Sequence, residues 1–250
     1  MAYGQIVTMR LADGRTVEFA DWSDKPLYST LQILHGSTQQ EMAAFTYVQG
    51  DPVPGFAPPG FTVNPRTANE RDTNMAVPSG LSSEEEFLVF AIKPEVFSER
   101  NTLTNQETSI ADFQTPEALC GVQGALSSVL PSPWMLGILG LRTILYLEIS
   151  EKRFPQAGFN YFNTGFGVNA YNGPVGTIAT QGVPSQEAVR TLVIPSHIGG
   201  TEKFRVMLFN PDGVGLEVGY NADNDNTECD DRRVADVRLY LDGLYRRGTA

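Results

Sequence analysis

Two histidines (His35, His197) and two cysteines (Cys120, Cys229) are all that 250 residues offer of these reactive side chains. A metal centre of several histidines cannot be built from two. Two cysteines so far apart suggest neither a disulfide framework nor a zinc site, and they read as free, buried thiols. The sequence contains no G-x-S-x-G nucleophile elbow and no P-loop. His197 follows Ser196, but neighbours in a strand point to opposite faces, which separates a nucleophile from its base. His35 stands alone and reads as a hydrogen-bonded structural residue. Long apolar runs are missing too. The most apolar stretch, residues 129–149, is broken by Pro131, Pro133, Gly137, Gly140 and Arg142. A spanning helix needs about 20 apolar residues in sequence. The first ten residues lack the basic start and apolar core of a signal peptide, so folding in a cytoplasm is expected. Positive charge is scarce: 18 Lys and Arg against 29 Asp and Glu give a net charge of −11. Such a surface repels phosphate backbones, and no direct nucleic-acid partner is expected. The local exceptions are Arg232, Arg233, Arg246 and Arg247 near the end of the chain.

What is present is β-pattern. Val7, Met9 and Leu11 alternate with Thr8 and Arg10, and Val17 and Phe19 alternate with Thr16 and Glu18. Asp13-Gly14 between them is a turn signal, because glycine accepts positive φ, so residues 5–19 predict a hairpin. Residues 87–97 open with an unbroken apolar run, which predicts a strand buried on both faces. Further strands are expected over 143–150, 189–194, 203–209, 214–220 and 234–242. Asn210-Pro211-Asp212-Gly213 predicts a tight turn. Leu27, Leu31 and Leu34 have helical spacing and predict a short helix within 26–45. Thr115-Pro116-Glu117, followed by Leu119, Val122 and Leu126, predicts a second helix ending before Pro131. Ser82-Ser83-Glu84-Glu85 imitates a helix cap, but the strand that follows argues against a helix there.

Residues 50–83 hold Pro52, Pro54, Pro58, Pro59, Pro65 and Pro78. Proline cannot donate to a sheet ladder, so no central strand fits most of this stretch. So long an excursion usually has a job. It reads as an arm, a clasp between subunits or an exposed tower, with a plain linker as the competing reading. Deleting 52–78 from an arm of that kind is expected to leave a folded monomer and to abolish assembly. The expected organisation is an N-terminal β-sandwich half, 1–130, carrying the excursion, and a C-terminal half, 131–250. One continuous domain is the alternative.

Three clusters have chemical readings. Residues 223–231 place carboxylates at short intervals, and Asp223, Asp225, Glu228 and Asp230 are candidate calcium ligands. The glycine and terminal glutamate of an EF-hand are missing, and a solvated acidic turn is the competing reading. No other cofactor is expected. Gly165, Gly167 and Ala170 match G-x-G-x-x-A, but Gly173 and Pro174 follow where a helix should start, so the stretch reads as a loop. Tyr161, Phe162, Phe166, Tyr171 and Tyr220 could line a sugar site or fill a core. Carboxylate pairs for glycoside hydrolysis have no sequence spacing to read, because the separation that matters is spatial.

Many strands, long loops and no alternating helices give an all-β fold, an antiparallel β-sandwich with one or two short helices. The strand set at 87–97, 143–150, 203–209 and 237–242, with the Pro-rich excursion, resembles the jelly-roll capsid proteins of icosahedral phages, including the double jelly-roll subunits of tailless, membrane-containing viruses. The resemblance is architectural and covers most of the chain. It implies a jelly roll, single or fused as two. It also implies a non-enzymatic structural subunit of the virion that forms trimers or larger rings. Other capsid proteins would be its partners and, in the membrane-containing group, a viral membrane. The second reading is a carbohydrate-binding or adhesin module of a phage fibre or spike. The third is a β-sandwich glycan lyase or hydrolase.

Overall fold

The computed structural model describes residues 8–10, 16–18, 22–34, 36–60, 66–101, 107–108, 139, 142–162, 169–173, 176–180, 191–216 and 233–247. The strands among them are β1 (Thr8–Arg10), β2 (Thr16–Glu18), β3 (Trp22–Asp24), β4 (Leu27–Leu34), β5 (Glu41–Ala44), β6 (Gly55–Phe56), β7 (Glu86–Asn101) and β8 (Glu107–Thr108). They continue with β9 (Ile144–Ile149), β10 (Lys152–Gly158), β11 (Asn169–Gly173), β12 (Gly176–Thr180), β13 (Ser196–Gly199), β14 (Phe204–Phe209) and β15 (Arg233–Arg246).

Two sheets organise the molecule. The larger runs β13-β7-β15-β4-β6, with β3 and β8 added at β15 and β7. The smaller runs β10-β9-β14-β5. All their pairings are antiparallel except β4 with β6. Alternate residues of each sheet turn inward and meet in one core. Leu31, Ile33, Phe87, Val89, Val237 and Leu239 come from the larger sheet. Met42, Leu145, Leu147, Phe204, Val206 and Leu208 come from the smaller. These inward faces meet as two packed layers. Both sheets take strands from either side of residue 130.

Several local expectations meet their counterparts. The N-terminal hairpin pairs β1 with β2 in the register Met9 to Val17. The apolar run opening β7 is covered on both sides, with Phe87, Leu88 and Val89 all buried. At the turn, Gly213 N–H donates to the Asn210 carbonyl (3.3 Å) with Gly213 at φ +59°. Ser82 and Glu85 close a turn on each other, Ser82 N–H to Glu85 Oε2 (2.9 Å), and β7 follows at once.

Two expectations are corrected. Residues 27–34, which carry the leucines of the expected first helix, form β4, paired along its whole length with β15. Seven of its eight residues are buried, so both faces are covered. The leucine spacing that mimics a helix therefore says nothing about period. The strand expected at 189–194 is irregular where described, and the ladder starts at Ser196, just past Pro195. The second expected helix, 115–130, lies outside the described residues.

The excursion is folded back on its own sheet. Gln32 N–H donates to the Pro54 carbonyl (2.9 Å), and Tyr28 N–H to Asn74 Oδ1 (2.9 Å). Val53, Ala68 and Met75 are buried. Deleting residues 52–78 would therefore strip the edge of β4 and take side chains out of the interior. The deletion is expected to destabilise the subunit, where a free arm could be lost without cost.

Close approach demands a glycine at Gly243. There β15 carries a register shift against β7, and a Cβ would run into the Leu88 carbonyl oxygen.

Candidate functional site

The flank along β4 is closed by a buried ionic knot. Arg66, from the excursion, reaches over the sheet to two carboxylates. Its Nη1 lies 2.5 Å from Asp72 Oδ1 and its Nη2 3.1 Å from Asp236 Oδ2. Both aspartates are fully buried, whereas Arg66 keeps 20% of its side chain exposed. Asp236 Oδ1 also accepts from Gln32 Nε2 (3.1 Å), and Asp72 Oδ2 accepts from Asn69 N–H (3.0 Å). Burial alone would lower the pKa of Arg66. The charges of Asp236 and Asp72 outweigh it and hold the guanidinium above its ordinary value.

Beside the knot, the Tyr47 hydroxyl donates to the Thr30 carbonyl (2.8 Å) and accepts from Thr30 N–H (3.0 Å). Burial is the main cause that pushes this hydroxyl from 10.0 up to about 12. Tyr28 donates to the Glu70 carbonyl (2.5 Å), and Arg238 donates to the Arg71 carbonyl and to the Tyr240 hydroxyl. Every one of these contacts ties the excursion to the sheet or braces the sheet face beneath it. Their chemistry is fastening.

The opposite flank is open. β10 is the edge of the smaller sheet and β13 the edge of the larger. Between them lies a cleft of 790 Å³, walled by β10 on one side and by residues 191–197 on the other. Six large hydrophobic side chains are exposed among the described residues, and four of them line this cleft: Phe154, Tyr161, Val193 and Ile194. Val193 is 90% and Ile194 65% exposed. Lys152 and Arg153 flank the apolar floor, and Arg153 lies 4.6 Å over the Tyr146 ring. Neither cation forms an ion pair among the described residues. Pro155 and a register shift between Phe154 and Gln156 interrupt the β10 ladder. Proline, a bulge and charges blunt an edge against strand addition, so side chains rather than backbone are on offer here.

His197 sits at the rim of this cleft. Its Nε2 is 3.2 Å from Glu86 Oε2, and Glu86 Oε1 is 2.5 Å from Arg246 Nη2. The carboxylate is thus shared between an imidazole and a guanidinium. The register sets Ser196 opposite Val89 and His197 opposite Leu88, which puts the two on opposite sheet faces, as the sequence implied.

The expected calcium ligands Asp223, Asp225, Glu228 and Asp230 lie outside the described residues, as do Cys120, Cys229, His35 and the glycines of the G-x-G stretch. Among the described residues, no group of three or more His, Cys, Asp or Glu side chains is placed to hold a metal ion. Of the expected aromatic set, Tyr161 lines the cleft and Phe162 is buried in the core. Phe166 and Tyr220 are outside the described residues, and of Tyr171 only the backbone, in β11, is described. Sequence reading missed Val193 and Ile194 as surface residues, because their type suits a buried strand. The adjoining Pro195 was the one local sign that the ladder begins later. No family model, no curated protein and no solved structure matches the chain.

Proposed function

We propose that the chain is a single jelly roll that serves as the subunit of a virus shell. One observation carries the fold reading. Take β4, β5, β7, β9, β10, β13, β14 and β15 in order. The first pairs with the last, the second with the seventh, the third with the sixth and the fourth with the fifth. All four pairings are antiparallel. That is one long hairpin. Its outermost pair joins the third pair through β7 and β15, and its second pair joins the innermost through β9 and β14. A long hairpin rolled so that successive pairs fall in alternate sheets is the winding of a two-sheet jelly roll. Among the described residues, each place in the winding is filled once between Leu27 and Arg246, which favours one roll over two fused rolls.

Jelly rolls serve viral capsids and lectins, and fold alone does not choose between them. The open, apolar, cation-flanked cleft supports the shell reading. A contiguous exposed apolar surface marks an interaction site, and a shell subunit must bury such surface against its neighbours. The role is structural, the partners are further copies and other shell proteins, and the place is the virion. The second reading, a carbohydrate-binding module of a fibre or spike, draws on the exposed Phe154 and Tyr161 rings in the same cleft. Negative-stain microscopy of the concentrated protein separates the two. Closed rings or shells support the capsid subunit. Dispersed particles that bind members of a glycan array support the adhesin and overturn the capsid reading.

A further inference from the structure

We propose that the cleft between β10 and β13 receives the 210–214 turn of a second copy of this chain. The inference rests on the shell reading in expecting self-association, and goes beyond it in naming both halves of the contact.

The cleft and the turn are complementary in charge, and both expose apolar side chains. The cleft is concave, with Val193, Ile194, Phe154 and Tyr161 exposed in it and Lys152 and Arg153 beside them. The other two exposed large hydrophobics among the described residues are Val77 and Val214. Val214 sits on a tight surface turn with exposed Pro211 and Asp212, so this turn presents apolar groups with a negative charge. Val77 has no acidic residue within two positions.

The turn is held in shape before any contact. Asn210 Nδ2 donates to the Val214 carbonyl (2.9 Å), Asn210 N–H to the Gln40 carbonyl (2.8 Å) and Leu216 N–H to the Ser37 carbonyl (2.9 Å). A preformed turn loses little freedom on docking. On a molecule of net charge −11, two cations beside an apolar floor, without ion pairs among the described residues, favour an acidic partner, and a second copy is one.

The two surfaces cannot meet within one molecule. Along β14, Phe204 pairs with Ile149, which lines the cleft, and Phe209 pairs with Ile144 next to the turn. The cleft end and the turn end of β14 are roughly 17 Å apart at the rise of an extended strand. A contact between different surfaces of identical copies is head-to-tail, and such contacts close into rings when the rotation permits.

Charge exchange tests the proposal in the full-length protein, with light scattering across a concentration series as the readout. Lys152→Glu with Arg153→Glu, and separately Asp212→Lys, should each raise the half-association concentration by about tenfold or more. The three changes in one chain pair each altered cleft with an altered turn, and association should return towards wild type. Val193→Asp should weaken association as the double charge reversal does. Thermal melts of all variants, read beside the scattering, show that each is folded. Folded variants that associate like wild type overturn the docking and leave the shell reading standing. Weakening by each side without recovery in the combined variant overturns the pairing of this turn with this cleft. A wild type that stays monomeric at every concentration overturns the shell reading and the docking together.

Discussion

The two flanks of the molecule solve the same problem in opposite ways. Both end in sheet edges with apolar residues close behind them. Along β4 the chain covers its own edge: the excursion lies on it, fastened by Arg66 between Asp72 and Asp236. Along β10 and β13 nothing comparable is described. Instead the edge is blunted by Pro155 and a register shift, and Val193 and Ile194 stand in the open. An edge that is blunted yet apolar resists indiscriminate strand pairing while still offering a surface. The contrast is one of placement: the fastening contacts gather on one flank and the exposed apolar surface on the other.

The largest effect is expected at the knot. Arg66→Ala leaves two buried carboxylates without their shared cation and should cost about 3–5 kcal/mol in denaturant unfolding. A loss below 1 kcal/mol, on the order of an exposed ion pair, would mean that the flank is not closed as described. Tyr47 gives the next effect, through pH. Its folded-state pKa is raised from 10.0 to about 12, so its stabilising share is intact below pH 10 and is lost as pH rises to about 12. The stability gap between wild type and Tyr47→Phe should shrink by about 2–3 kcal/mol across that window. A gap that stays constant would show the hydroxyl to be solvated. Gly243→Ala should cost about 1–3 kcal/mol by driving a methyl into the Leu88 carbonyl, and unfolding curves matching wild type would exclude the close approach. On the open flank, Val193→Ser should change monomer stability by no more than about 0.5 kcal/mol, because the side chain is already in water. A larger loss would mean that Val193 is packed.

Legibility in the sequence follows the same contrast. Alternation around the Asp13-Gly14 turn revealed β1 and β2, and strand-like stretches matched β9, β14 and β15, while an apolar run revealed β7, because two buried faces impose continuity. Pattern failed at β4, where the second face is covered by the excursion and Leu27, Leu31 and Leu34 happen to fall at helical intervals. The turn at 210–213 was legible because proline, aspartate and glycine act locally. The knot was not. Arg66 and Asp236 stand 170 positions apart, and no local pattern announces a pair made by folding. The cleft was hidden for a related reason: whether Val193 and Ile194 are buried depends on what lies over them, which residue type does not encode.

Hydrogen–deuterium exchange at low and high protein concentration separates a closed flank from an open one. Amides of 150–155 and 191–199 should gain protection as concentration rises, while 66–75 on the closed flank should keep the protection they have in the dilute protein. Protection that does not change with concentration at the open flank, or that rises instead over 66–75, would contradict that contrast.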